Sequence, residues 1–168
     1  MDAEARIATP QALERDVFSR IPLAGAMGVR VDDYGDGRLV LAAPFEPNVN
    51  HAGIAFGGAI EVLGTLACWS LLWLLLGEPD AMTVIQHGET AFRRPLKGRL
   101  HAVARAPGDG DLERLRETLA RHGRARIKLA ATVGDAATPE GARFRGCFAV
   151  ARQDAAERAA NASDSSKR

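Results

Sequence analysis

The segment Asn50-His51-Ala52-Gly53-Ile54-Ala55-Phe56-Gly57-Gly58 runs directly into Ala59-Ile60-Glu61-Val62-Leu63-Gly64-Thr65. It gathers residue types suited to acid–base and electrostatic chemistry. Asn50 and His51 are two polar side chains in a tight turn. Gly57 and Gly58 stand where a helix should start, and the first N–H groups of a helix have no intrahelical acceptor. Such groups can hold a developing negative charge. Glu61 follows in an otherwise apolar helix, where an unpaired buried carboxylate is costly. This combination predicts an enzyme.

Several elements must position that segment. Thr9 as cap and Pro10 at the first helical position predict a helix over residues 9–20 that ends before Pro22. Residues 28–33 and 38–43 read as strands around a hairpin turn at Tyr34-Gly35-Asp36-Gly37, and Pro44 and Pro47 end the pairing. The apolar run from about 58 to 76 is the central helix, stopping near Gly77-Glu78-Pro79-Asp80. Strands are then expected at 82–92, 99–106, 124–133 and 143–151. An amphipathic insert between Gly110 and Gly123 carries Leu112, Leu115, Leu119 and Ala120 at helical spacing. Residues 124–133 alternate Ala125, Ile127, Leu129 and Ala131 against Arg126 and Lys128, the pattern of a half-buried strand. An antiparallel sheet covering one greasy helix satisfies both, so the class is α+β, in one domain over residues 1–150. Residues 151–168 lack large apolar anchors and are expected to form a flexible tail.

Composition narrows the function further. Lys and Arg total 22 against 21 Asp and Glu, a formal charge of +1. No strong field steers the chain to nucleic acid or a membrane surface. The central helix falls short of the roughly 20 apolar residues of a span and carries Glu61, Thr65, Cys68 and Ser70. A helix apolar on nearly every side is more simply one surrounded by protein. Cys68 and Cys147 sit in apolar stretches without metal spacing, which predicts reduced thiols and a cytoplasmic protein. The opening Met1-Asp2-Ala3-Glu4-Ala5-Arg6 shows no signal-peptide pattern.

The spacing Asn50-x-x-Gly53-x-x-Phe56-Gly57-Gly58, the apolar helix behind it and Arg93-Arg94-Pro95-Leu96-Lys97-Gly98 together resemble the hotdog-fold thioesterases. The runs from Ile21 to Val29 and from Ala43 to His51 resemble, more narrowly, a bacterial family of thioesterase-like domains. In some of its members the domain follows an acetyltransferase domain. The likeness extends from about Pro22 to Val150. It implies a hotdog fold, with the sheet wrapped around the long helix, and a homodimer or dimer of dimers with active sites at the interface. It also implies a thioester substrate on coenzyme A or an acyl carrier protein. Many relatives carry a catalytic Asp where this chain has Thr65; Glu61 lies four residues earlier, on the same helical face.

Glu61 is therefore the candidate catalytic carboxylate, activating water or attacking directly. Its structural reading is a cap at the third helical position. Gly58 is the candidate oxyanion donor, and Gly57, with Phe56, would receive the acyl group; the alternative is a sharp turn or close packing. Asn50 would orient water or the thioester. His51 would transfer a proton or make a local turn hydrogen bond. Thr65 would position water or bond back within its helix. Cys68 reads as packing, as do Trp69 and Trp73. Arg93, Arg94 and Lys97 suit the phosphates of coenzyme A, or are ordinary solvent-facing groups. His87 and Glu89 share a strand face without an assigned role. No metal or other cofactor is expected. Two alternatives stand beside hydrolysis: a 3-hydroxyacyl thioester dehydratase using His51 with Glu61, and a non-catalytic acyl-thioester binding module.

Overall fold

The computed structural model describes residues 8–78 and 81–152. Residues 153–168 of the expected 151–168 tail, the first seven residues and residues 79–80 lie outside them. Thr9 caps α1 (Pro10–Ala12), its hydroxyl accepting the Ala12 N–H at 3.1 Å. The helical path continues as a π turn over Leu13–Val17 and a 3-10 turn over Phe18–Arg20, so the predicted helix spans the right residues with irregular pitch.

Pro22 does not end helical structure; it begins α2 (Pro22–Met27), which the sequence reading missed. Ile21 is extended at φ −108°, and the fixed φ of proline suits the first position of a new helix. Gly28 closes α2 in the left-handed region at φ 70°, with Pro44 so near that a Cβ would sit 2.9 Å from it. The next strand consequently starts two residues later than predicted, as β1 (Arg30–Gly35). It turns through Asp36 and Gly37, at φ 49° and 67°, into β2 (Arg38–Ala43). Positive φ at both central residues is what a tight two-residue hairpin needs.

A 3-10 turn at Glu46–Asn48 leads to the motif loop and then α3 (Gly57–Leu76). β3 (Met82–Phe92), β4 (Leu100–Arg105), α4 (Asp109–His122), β5 (Arg124–Gly134) and β6 (Ala142–Ala151) complete the chain. The strands form one antiparallel sheet in the order β1-β2-β4-β5-β6-β3. α3 packs against five of them, β2 through β6. On β5 the alternation holds as read: Ala125, Ile127, Leu129 and Ala131 are buried while Arg126 and Lys128 are exposed. On α4, Leu115 and Leu119 are buried, but Ala120 faces solvent.

α3 has the length and composition of a membrane-crossing helix, yet 67% of its most apolar window is buried inside this fold. Its less buried stripe runs through Glu61, Thr65 and Trp69, and the Trp69 indole donates to the Thr83 carbonyl of β3 at 2.7 Å. Among the described residues β3 pairs only with β6, which leaves its other edge open, and Met82, Val84, Ile85 and Phe92 are exposed along β3.

Candidate active site

The motif loop is held from three directions. Internally, the Asn50 N–H donates to the Ile54 carbonyl at 2.8 Å, and the Asn50 side-chain oxygen accepts the Ala52 and Ile54 N–H groups at 2.8 and 3.4 Å. Asn50 is thus a turn-former through its oxygen, a habit of this side chain. From one side, Asn48 accepts the Phe56 N–H on its carbonyl at 2.7 Å. The buried Asn48 amide donates to the Met27 and Pro44 carbonyls at 2.9 and 2.8 Å, which ties the loop to α2. From the other side, the Leu96 carbonyl accepts the Ala55 N–H at 2.9 Å.

α3 then opens with Phe56 as cap, whose side chain makes no capping hydrogen bond. The Ile60 N–H reaches the Phe56 carbonyl at 3.1 Å, closing the first helical turn. The N–H groups of Gly57, Gly58 and Ala59 therefore have no intrahelical acceptor. The Phe56 ring lies over Gly58 so closely that a Cβ there would come within 2.5 Å of it; a Cβ on Gly57 would meet the Phe92 ring at 3.4 Å. Both rings are 56% exposed, so they flank the glycine pair without sealing it.

Glu61 is the fifth residue of α3, not the third, because the helix opens at Gly57. From that position the side chain does not cap the first-turn N–H groups. The burial expected for Glu61 inside an apolar helix is not found: its carboxylate is exposed, so it carries no desolvation cost, and it makes no hydrogen bond or ion pair with the described residues. One turn separates it from Gly57, on the same face. Thr65 continues that face, half-buried. His51 is exposed, and its side chain makes no hydrogen bond with the described residues.

Beside the glycine pair lies an open groove of about 350 Å³. Asn50, Ile54, Gly57 and Ile60 of the motif loop and α3 line it together with Phe92, Arg93 and Arg94 from the end of β3 and the loop after it. The structure thus brings Asn50, Gly57, Arg93 and Arg94 together. Gly58, Glu61, Phe56, His51, Thr65 and Lys97 stand outside the lining. Arg93 lies 3.9 Å from Glu140, an exposed pair, whereas Arg94 and Lys97 have no ion pair among the described residues. Cys68 is fully buried, and that burial pushes its thiol up to about 12, so it stays protonated and packs.

Asp135 was missed by the sequence reading. Its carboxylate accepts N–H groups from Lys97 and Gly98 at 2.8 and 3.1 Å, and from Ala137 and Thr138 at 3.1 and 2.7 Å. Burial pushes this carboxyl up, but the four backbone donors outweigh it and hold it below the ordinary range. The local signal, an Asp three residues before Thr138-Pro139, announces a turn; the distant half of the contact leaves no trace in sequence.

An antiparallel sheet around one apolar helix, with a glycine pair opening that helix, defines a hotdog-fold protein of the thioesterase type. The chain belongs to the family described as "Putative thioesterase (yiiD_Cterm)", whose model matches residues 10–152. Among solved structures it is similar to a protein of unknown function from Chlorobaculum tepidum, at 29% identity and TM-score 0.80, over 87% of this chain and 98% of that one. It is also similar to a putative thioesterase from Shewanella oneidensis, at 24% identity and TM-score 0.72, over 86% and 97% of the two chains. A Pseudomonas aeruginosa protein described as a probable thioesterase shares 21% identity at TM-score 0.74, over 86% and 97%. The last two likenesses concern the fold alone.

Proposed function

We propose that this protein hydrolyses an acyl thioester, carried on coenzyme A or an acyl carrier protein, to a free acid and a thiol. The observation that carries the reading is the start of α3. Three N–H groups there lack intrahelical acceptors beside an open groove, and an unpaired carboxylate stands one turn further on. The thioester carbonyl oxygen accepts the Gly58 N–H, with Gly57 leaving room for the acyl carbon. Glu61 takes a proton from a water that attacks that carbon. Negative charge then builds on the oxygen, where fixed N–H groups stabilise it without reorganising. As the tetrahedral species collapses, the carbon–sulfur bond breaks and the thiolate leaves with the proton from Glu61. Asn50, through its amide nitrogen, and Thr65 and His51 are the polar groups available to orient water or relay protons.

Arg93 and Arg94, which line the groove, suit the phosphates of coenzyme A, and Lys97 follows in the same loop. No further cofactor enters this scheme, since coenzyme A arrives as part of the substrate. A second copy of the chain is the partner we infer: the open β3 edge and its exposed Val84, Ile85 and Phe92 favour a homodimer. Pairing there would bring a neighbouring surface over the Glu61–Thr65 face and complete the site. The two free thiols suit a cytoplasmic setting.

A thiol-release assay across short, long and aromatic acyl-coenzyme A substrates tests the reading. Glu61→Gln should cut turnover by roughly 10²–10⁴-fold while leaving the thermal melt unchanged. Substrate binding without thiol release would instead identify a binding module, and formation of an enoyl product from 3-hydroxyacyl substrates a dehydratase.

A further inference from the structure

Part of the groove lining, residues 93–96, is a loop, and a loop presents its side chains in one geometry only when its backbone is fixed. Residues 93–98 are fixed at both ends by the connection between β5 and β6. The Gly141 carbonyl accepts the Arg93 and Arg94 N–H groups at 2.8 and 3.0 Å. Leu96 is buried hard against Gly141, where a Cβ would sit 2.3 Å from the leucine side chain. At the far end one oxygen of Asp135 accepts both Lys97 and Gly98 N–H groups, while the other accepts Ala137 and Thr138. Between these anchors the Leu96 carbonyl holds Ala55 of the motif loop. Asp135 is 7% exposed and lines no part of the groove.

We infer that Asp135 is a positioning residue for substrate binding: its carboxylate clamps the 97–98 backbone, and so sets the wall that carries Arg93 and Arg94. This rests on the thioesterase reading for the identity of the ligand, but the clamp itself does not. Charge-assisted hydrogen bonds to backbone N–H groups are the strong class, and four on one carboxylate join two segments far apart in sequence. The oxyanion donors and Glu61 belong to α3, whose start keeps a second anchor, the Phe56 N–H on the Asn48 carbonyl, when the Leu96–Ala55 contact loosens. Disturbing the clamp should therefore affect binding more than the chemical step.

Asp135→Ser keeps a short side-chain acceptor for the 135–138 turn but cannot reach Lys97 or Gly98. Asp135→Asn restores an oxygen at the original reach. For the serine variant, amide hydrogen exchange at Lys97, Gly98 and Ala55 should quicken by roughly tenfold or more. KM for a coenzyme A thioester should rise roughly tenfold or more, with kcat changed by less than about threefold. The asparagine variant should recover part of the KM. Unchanged exchange in a folded serine variant overturns the proposal, and so does a loss of kcat at constant KM. If neither variant folds, Asp135 is a determinant of the fold and the proposal fails. A wild-type protein that releases no thiol removes the hydrolase reading alone, and the exchange measurement then decides the clamp.

Discussion

Adding one methyl group at three glycines of α3 should have three different consequences. At Gly58 a new Cβ would lie 2.5, 3.1 and 3.2 Å from three atoms of the Phe56 ring. That ring is 56% exposed, so it can swing into solvent and the backbone can stay where it is. Alanine in place of glycine within a helix stabilises by roughly 0.5–1 kcal/mol, which about offsets the packing the ring gives up. Gly58→Ala should therefore melt within a few degrees of wild type. The methyl group and displaced ring would nevertheless crowd the Gly58 N–H. Complete loss of such a donor costs about 2.7–4 kcal/mol, or roughly 10²–10³ in kcat.

At Gly64 the same addition meets Phe144 at 2.7 and 3.0 Å and Val133 at 3.4 Å, and both residues are fully buried. Overpacking of this kind costs about 1–3 kcal/mol, and in a chain of this size each kcal/mol lowers Tm by roughly 2–4 °C. Gly57 is the control for stability alone, since its Cβ would make ordinary contact with Phe92 at 3.4 and 3.5 Å; because Gly57 lines the groove, a methyl group there should raise KM without lowering Tm. Thermal melts paired with thiol-release kinetics separate the cases. A folded Gly58→Ala protein with wild-type kcat would refute the role of that N–H. A collapse in its stability would refute the reading that the Phe56 ring is free to move.

Other expectations follow from the same geometry. Arg94→Glu should raise KM for a coenzyme A thioester while leaving the melt unaltered, because Arg94 lines the groove and has no ion pair among the described residues; an unchanged KM would remove the phosphate assignment. Cys68, pushed up to about 12, should resist thiol reagents at pH 8 until denaturant is added; labelling of the native protein at Cys68 would contradict its burial. Asp135 is held below its ordinary range, so its stabilisation is complete at neutral pH and fades as pH falls through that lowered value. Asp135→Asn should accordingly be less stable than wild type at pH 7, with the gap in Tm closing in acid; a gap that widens would reverse the sign. Ile85→Asp on the β3 edge should shift the proposed homodimer to monomer in sedimentation, and a dimer that persists would place the interface elsewhere.

Much of the fold was legible because it rests on local periodicity. The alternation on β5, the amphipathic stripe of α4 and the unbroken apolarity of α3 each gave boundaries within about two residues. α2 was lost because proline reads as a stop as readily as a start, and only the extended Ile21 before it decides. Glu61 was placed two positions too early in α3 because Phe56, which offers no capping side chain, is nonetheless the residue that precedes the helix. In the site, Asn50, Gly57, Arg93 and Arg94 converge on the groove from segments the sequence had flagged separately. Asn48 and Asp135 escaped notice because their roles are long-range backbone contacts. No spacing rule encodes a carboxylate reaching an N–H group 38 positions away.

A structure of the protein with a non-hydrolysable acyl-coenzyme A analogue would be the most direct measurement. It should show the carbonyl oxygen about 2.7–3.1 Å from the Gly58 nitrogen, with the Glu61 carboxylate facing the carbonyl carbon. An acyl group bound away from the start of α3, or Glu61 engaged in an ion pair remote from the ligand, would contradict the account.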